Sequence, residues 1–242
     1  IVNMSIFKKY LPKIGSTNLL NREQWLEKTL KQIPNKSKIL DAGAGELKYK
    51  NFCSHLNYIS QDFAQYDGKG DDIGLQTGTW DQTKLDIVSD IINIPVESET
   101  FDAILCVEVF EHLPDPISAI KEFSRILKSE GTVIITAPFC SITHFAPYHF
   151  YSGFNKYFYE HHLLNSGFKI IEISSNGNFF DYLAQELRRV FSVSEKYSNQ
   201  SPNLIEKVAI AVILRFLTKS EKKDRGSNDL LNNGFHVIAQ KI

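Results

Sequence analysis

Short β-branched runs alternate with segments of helical period along most of this chain, and the first run ends in a glycine turn, Ile39-Leu40-Asp41-Ala42-Gly43-Ala44-Gly45. Such alternation calls for a mostly parallel sheet with helices packed on it. Period-2 and apolar runs predict seven strands, at residues 38–41, 58–60, 85–89, 101–107, 132–136, 168–173 and 235–240. Helical spacing predicts helices at 25–33, 46–52, 155–166, 179–191 and 204–218. A further helix starts at Asp115-Pro116, with Ile117, Ile120, Phe123, Ile126 and Leu127 on its apolar face. Residues 6–21 read as a turn-rich segment draped over another surface, 64–84 as a long loop, and 219–233 as a polar arm.

Composition narrows the class. A chain of 242 residues with 43% hydrophobic content can bury one substantial core. The expected organisation is a single domain over 1–242, with an N-terminal cap and helix at 1–37, a substrate-side loop and helix at 139–166, and a helical insertion at 179–233. A formal charge of −1 offers no field for nucleic acid. The cysteines Cys53, Cys106 and Cys140 have no paired spacing, which argues against disulfides and a thiolate metal site and for a reducing compartment. Residues 1–10 lack the apolar run of a secretory signal, and the apolar stretch 208–217 is too short to span a bilayer. The expectation is a soluble, cytoplasmic protein, monomeric or homodimeric, without membrane insertion.

A strand ending in Asp-x-Gly-x-Gly at a helix start opens the backbone to a ligand, because glycine tolerates positive φ and helix N-terminal N–H groups favour an anion. Asp62 ends the second strand, where a carboxylate can accept hydrogen bonds from ribose hydroxyls. A dinucleotide fingerprint requires a third glycine at position 48. That position is Lys48, which argues against a nicotinamide oxidoreductase.

The run 39–45, Asp62, Asp86-Ile87-Val88-Ser89-Asp90-Ile91, Phe101-Asp102-Ala103-Ile104-Leu105-Cys106, Glu108-Val109-Phe110-Glu111-His112-Leu113 and Ile126-Leu127-Lys128-Ser129-Glu130-Gly131-Thr132 resembles a class I S-adenosylmethionine (SAM)-dependent methyltransferase of the methyltransferase-11-like kind. The resemblance covers roughly residues 23–175, and 235–240 resembles the last, antiparallel strand of that family. It implies an α/β fold: a Rossmann-like, doubly wound, seven-stranded sheet, mostly parallel. It also implies roles. Asp41, Gly43 and Gly45 would shape the pocket for the methionine part of SAM, and Asp62 would bind the ribose. Asp90 would meet the adenine amino group, with Ile91 packed on the ring. Cys106, Val107 and Glu108 would line the sulfonium end, and Arg22, just before the first helix, would reach the cofactor carboxylate. Glu111-His112 reads as a scaffold element that turns the chain.

The segment 138–154 is dense in His and Tyr. It is the expected substrate wall, with His144 or His149 as base and Tyr148 or Tyr151 orienting the acceptor. A metal held by His144, His149 and His161 lacks any accompanying Cys or carboxylate at ligand spacing, so no metal is expected. Residues 148–158, Gly167-Phe168 and 176–180 resemble methyltransferases of bacterial surface-glycan and capsule pathways. The expected reaction is methyl transfer to a hydroxyl of a small polar acceptor, a sugar or glycan precursor in polysaccharide biosynthesis. N-methylation of a small amine and a non-catalytic SAM-binding partner protein are the alternatives; nucleic-acid methylation is disfavoured.

Overall fold

The computed structural model describes residues 11–242. The expectations for residues 1–10, the absence of a signal among them, lie outside the described residues, as does the first part of the draped segment. Twelve regular elements follow in order among the described residues: α1 (Asn18–Leu30), β1 (Lys38–Ala42), β2 (Asn57–Asp62), β3 (Ile87–Val88), β4 (Phe101–Val107), α2 (Pro116–Ile126), β5 (Leu127–Ala137), α3 (Lys156–Asn165), β6 (Phe168–Asn176), α4 (Phe179–Ser198), α5 (Leu204–Glu221) and β7 (Gly234–Lys241). Short 3-10 turns occupy Lys50–Cys53, Phe110–His112 and Ser227–Asp229.

The sheet order is β3-β2-β1-β4-β5-β7-β6. Strands β1 to β5 pair in parallel, and β7 runs antiparallel to β5 from Thr132↔Gln240 to Ala137↔Phe235. This is the Rossmann-like sheet expected, with the switch in strand order between β1 and β4. Alternation along the strands sorts side chains between two cores. Leu40, Ala42, Ile104, Cys106, Val133 and Ile135 join one face with Ala119, Ile120, Phe123 and Ile126 of α2 and Tyr159 and Leu163 of α3. Ile39, Ala103, Leu105, Val107 and Ile134 join the other with Leu26 and Leu30 of α1 and with Tyr49 and Cys53. A strand buried on both faces reads as a continuous apolar run, which explains 101–107.

Element ends follow their capping chemistry. Asp115 caps α2 by accepting from Ser118 N at 3.0 Å, with Pro116 at the first helical position. Asn155 caps α3 by accepting from Phe158 N. Four expectations are corrected. The helix predicted at 46–52 is only a turn and the 3-10 segment Lys50–Cys53, because Leu47 sits at φ 62, outside the helical region. Asn21 and Arg22 do not precede the first helix; they lie inside α1, which begins at Asn18. The strand predicted at 85–89 shrinks to two residues, and β5 begins five residues early, across an irregularity in its pairing with β4.

Where one domain with an insertion is expected, the chain forms two compact units. One comprises Glu23–Ser174 and Gly234–Ile242; the other comprises the segment up to Arg22 and Ser175–Asn233. The second has its own small core of Leu11, Ile14, Ala184, Leu214 and Leu217. Its buried Asp181 carboxylate accepts from Gly15 N at 2.8 Å and Asn233 Nδ2 at 2.6 Å. Among the described residues no helix is long and apolar enough to cross a membrane.

Candidate active site

The larger unit carries a cavity of about 530 Å³ at the carboxyl ends of β1, β2 and β4. A cleft of this size at the switch in strand order suits a cofactor with a small substrate. Its floor is the glycine turn. Gly43 sits at φ 81, and its N donates to Gln61 O at 2.8 Å. A Cβ there would lie 2.4 Å from Val109 Cγ2, so no other residue fits while Val109 lines the same cavity. Gly45, at φ 51, donates from N to Asp62 Oδ2 at 2.9 Å, which ties the turn to the end of β2.

Asp62 also accepts from Ala64 N at 2.9 Å. Burial lifts its carboxyl above the usual carboxylate range, and the amides of Ala64, Gly45 and Phe63 oppose that lift. Asp90 lies at the rim, exposed, with Oδ1 accepting from Ile92 N, and Ile91 beside it is buried. The segment after them is fixed by α2: Ile94 N donates to Glu122, and Arg125 donates to the carbonyls of Ile94 and Val96. Glu108, just past β4, is held at φ 55 with its N on Thr136 O and its Oε1 accepting from Thr136 Oγ1. A left-handed non-glycine residue lining a cavity is backbone strain held at a site.

Gly43, Asp62, Asp90, Ile91 and Glu108 therefore line one cavity. Asp41, Gly45 and Arg22 are not among its lining residues. Asp41 is buried beneath the turn, where its Oδ2 accepts from Tyr58 O–H at 2.6 Å, and burial raises its pKa to about 7.

Sequence reasoning missed an aromatic wall. Tyr66 and Trp80 come from the long loop and Phe145, Tyr148 and Phe150 from the His-rich loop, and all five line the cavity. Tyr66 and Phe145 stack at 4.7 Å between ring centroids, with Trp80 edge-on to both. The two loops are joined through backbone: Phe145 N donates to Leu75 O at 3.0 Å and Leu75 N to Thr143 O at 3.1 Å. The one available signal was two large aromatics, Tyr66 and Trp80, in an otherwise Gly- and Asp-rich stretch.

The expected catalytic set is rearranged. Neither His144, His149 nor Tyr151 lines the cavity; His112 does. Tyr151 is exposed, with its hydroxyl on Pro114 O, and His149 Nε2 pairs with Ser141 Oγ at 3.2 Å. The reason is the backbone of Glu111. Its carbonyl accepts from both Phe150 N and Tyr151 N, and in the segment so held Tyr148 and Phe150 line the cavity while His149 and Tyr151 do not. His161 is on α3, paired with Asn165, apart from His144. The fold instead gathers Glu111, His112 and His144, whose nearest ligand-capable atoms lie within 4.8 Å of one another. His112 Nδ1 pairs with Tyr148 O at 2.6 Å, and His144 Nδ1 with Ile142 O at 2.9 Å. Burial, and then the neighbouring His144, push the His112 pKa down to about 3. Burial raises that of Glu111, against the pull of His144. Burial works against charge on His144, but Glu111 and the Ile142 carbonyl outweigh it and raise its pKa.

The cavity fits SAM on its own chemistry. Asp62 offers acceptor oxygens to vicinal hydroxyls, Ile91 and Val88 offer apolar surface beside the Asp90 carboxylate, and Glu108 with the aromatic faces suits a cationic centre. Comparison with known proteins agrees. Residues 40–135 match the family model described as a methyltransferase domain. An uncharacterized protein of Methanocaldococcus jannaschii is 30% identical over 111 residues, 44% of each chain. The ubiquinone biosynthesis O-methyltransferase of Aliivibrio fischeri is 36% identical over 64 residues, 26% of each chain. The chain thus spans less than half the length of these curated relatives. Among solved structures, a SAM-dependent methyltransferase from Archaeoglobus fulgidus superposes with a TM-score of 0.56 at 16% identity, over 93% of this chain and 95% of that one. Residues 40–135 are thus similar to a methyltransferase domain, and the chain shares its Rossmann-like fold with a solved SAM-dependent methyltransferase.

Proposed function

We propose that this protein transfers a methyl group from SAM to a hydroxyl of a small polar acceptor, a sugar or glycan precursor. The observation that carries the reading is one cavity lined by two kinds of chemistry: carboxylates at strand ends on one side, and His112 amid aromatic rings on the other. When bound, SAM supplies a methyl group on a positively charged sulfur. Asp62 accepts from the ribose hydroxyls, Asp90 and Ile91 take the adenine, and the Gly43 turn admits the amino-acid end. Glu108 faces the cationic centre, and its strained backbone keeps the carboxylate there. Tyr66, Phe145, Tyr148 and Phe150 offer ring faces to a sugar and shed water from the reacting centre.

A hydroxyl acceptor must lose its proton. With Nδ1 donating to the Tyr148 carbonyl, His112 keeps an unprotonated Nε2, turned toward Glu111 Oε1, at the cavity wall. An amine acceptor would bring its own lone pair and would not require an imidazole there, which favours oxygen over nitrogen.

The test is methyl transfer from isotopically labelled SAM to a panel of nucleotide sugars, reducing sugars and small amines. Labelled product from a sugar hydroxyl, absent without SAM, is the expected result. Labelling of amines alone would overturn the acceptor assignment. Binding of NAD(P) in place of SAM would overturn the reaction.

A further inference from the structure

We infer that Glu111, His112 and His144 form a binding site for one divalent transition-metal ion of the zinc class, open toward the cavity on the His112 side. The inference deepens the proposed function and rests on it for the ion's use, since the ion would hold the acceptor oxygen.

Four observations carry it. The first is the ligand set, two imidazole nitrogens and one carboxylate oxygen, a combination that suits Zn²⁺ and its first-row neighbours and not Ca²⁺ or Mg²⁺. The second is the spacing. Glu111 Oε1 lies 3.7 Å from His112 Nε2 and 3.8 Å from His144 Nε2. These separations are too long for hydrogen bonds. Ligand atoms about 2.1 Å from a tetrahedrally bound ion are themselves about 3.4 Å apart, close to what is found.

The third is orientation. Both imidazoles give Nδ1–H to a backbone carbonyl, His112 to Tyr148 and His144 to Ile142. Both therefore turn Nε2 toward the same carboxylate. Metal-ligating histidines are held in this way by a carbonyl behind the ring. The fourth is want of a partner. Glu111 is 1% exposed, yet its Oε2 has no hydrogen-bond partner among the described residues, and neither has His112 Nε2. A buried carboxylate left unpaired is costly, and a cation between these groups satisfies all three. Glu108 adds negative charge at the same end, felt by both Glu111 and His144.

The full-length chain is stripped with a chelator, incubated with Zn²⁺ or Co²⁺, gel-filtered and assayed for metal by mass spectrometry. About one ion per chain is expected, with a visible Co²⁺ absorption band. Glu111→Gln, His112→Ala and His144→Ala should each weaken retention by more than about tenfold. His149→Ala and His161→Ala should leave it unchanged. Far-UV circular dichroism checks folding. For any variant that does not fold, protection of His112 and His144 from diethyl pyrocarbonate by Zn²⁺ in the wild-type chain gives the same information. A wild-type chain that retains no ion, or retention indifferent to all three substitutions, overturns the site. SAM binding is measured by calorimetry on the same samples. A chain that binds SAM but retains no ion overturns this inference alone, and metal retention without SAM binding overturns the proposed function alone.

Discussion

Asp41 lies two residues before the glycine turn, buried, with Tyr58 donating to it. Its pKa is about 7 in the folded chain and 3.8 in the reference state. The folded chain therefore holds a proton there between roughly pH 4 and 7 that the unfolded chain has released. That contribution to stability is full at low pH and is lost as the pH rises through about 7, up to about 4 kcal/mol. Asp41→Asn keeps an acceptor for Tyr58 and removes the dependence. Urea melts from pH 4.5 to 8 should show the wild type losing stability relative to the variant as pH rises; parallel curves would remove Asp41 from that role. Asp62 differs, because it lines the cavity. Asp62→Ala should weaken SAM binding by more than about tenfold in calorimetry, since a ribose left without its acceptor forfeits charge-assisted bonds. Unchanged affinity would end the ribose assignment. Both aspartates stand out in the sequence and both are buried, but only Asp62 lines the cavity.

At the scale of elements, the loop 64–84 contributes more than its composition suggests. Trp80 sits 3.0 Å from where a Cβ on Gly45 would be, and it packs edge-on to Tyr66 and Phe145. Trp80→Ala should loosen this loop and the 141–150 loop together. Hydrogen exchange should rise in both and stay unchanged in β1, β4 and β5, with weaker SAM binding; exchange confined to the loop 64–84 would separate the two loops. The regular elements themselves were legible. Strand β4 spans 101–107 as its apolar run predicts, and α2 starts at Asp115-Pro116 because that pair both caps and opens a helix. The helix after the glycine turn was misread. Its apolar spacing is helical, but Leu47 leaves the helical region as the turn folds back under Asp62.

Across the whole molecule, the two compact units have different anchors. The sheet unit rests on two large cores on either face, whereas the unit built on Ser175–Asn233 rests on a small core and on Asp181. Asp181→Ala leaves the buried Gly15 N and Asn233 Nδ2 without their acceptor, at about 1–3 kcal/mol. Hydrogen exchange should accelerate across 175–233 while the central strands keep their protection. Uniform acceleration would mean that the chain opens as one unit. On α5 of this unit Leu204, Ile205, Val208, Val212 and Phe216 are exposed.

The sequence by itself determined the strand-and-helix order, the glycine turn and the carboxylates at strand ends, because those depend on periodicity and on residues adjacent in the chain. Asp62, Asp90, Ile91 and Glu108, singled out for that reason, line the cavity. Tertiary structure alone decided which histidines face the cavity. His144, His149 and Tyr151 share a loop with similar chemistry, and nothing local says which side chain turns inward. The Glu111 carbonyl holds Phe150 and Tyr151 by their amides, and Leu75 pairs with Thr143 and Phe145, contacts between residues far apart in the chain. The gathering of Glu111, His112 and His144 likewise spans 33 residues, from 111 to 144, so no ligand spacing could announce it.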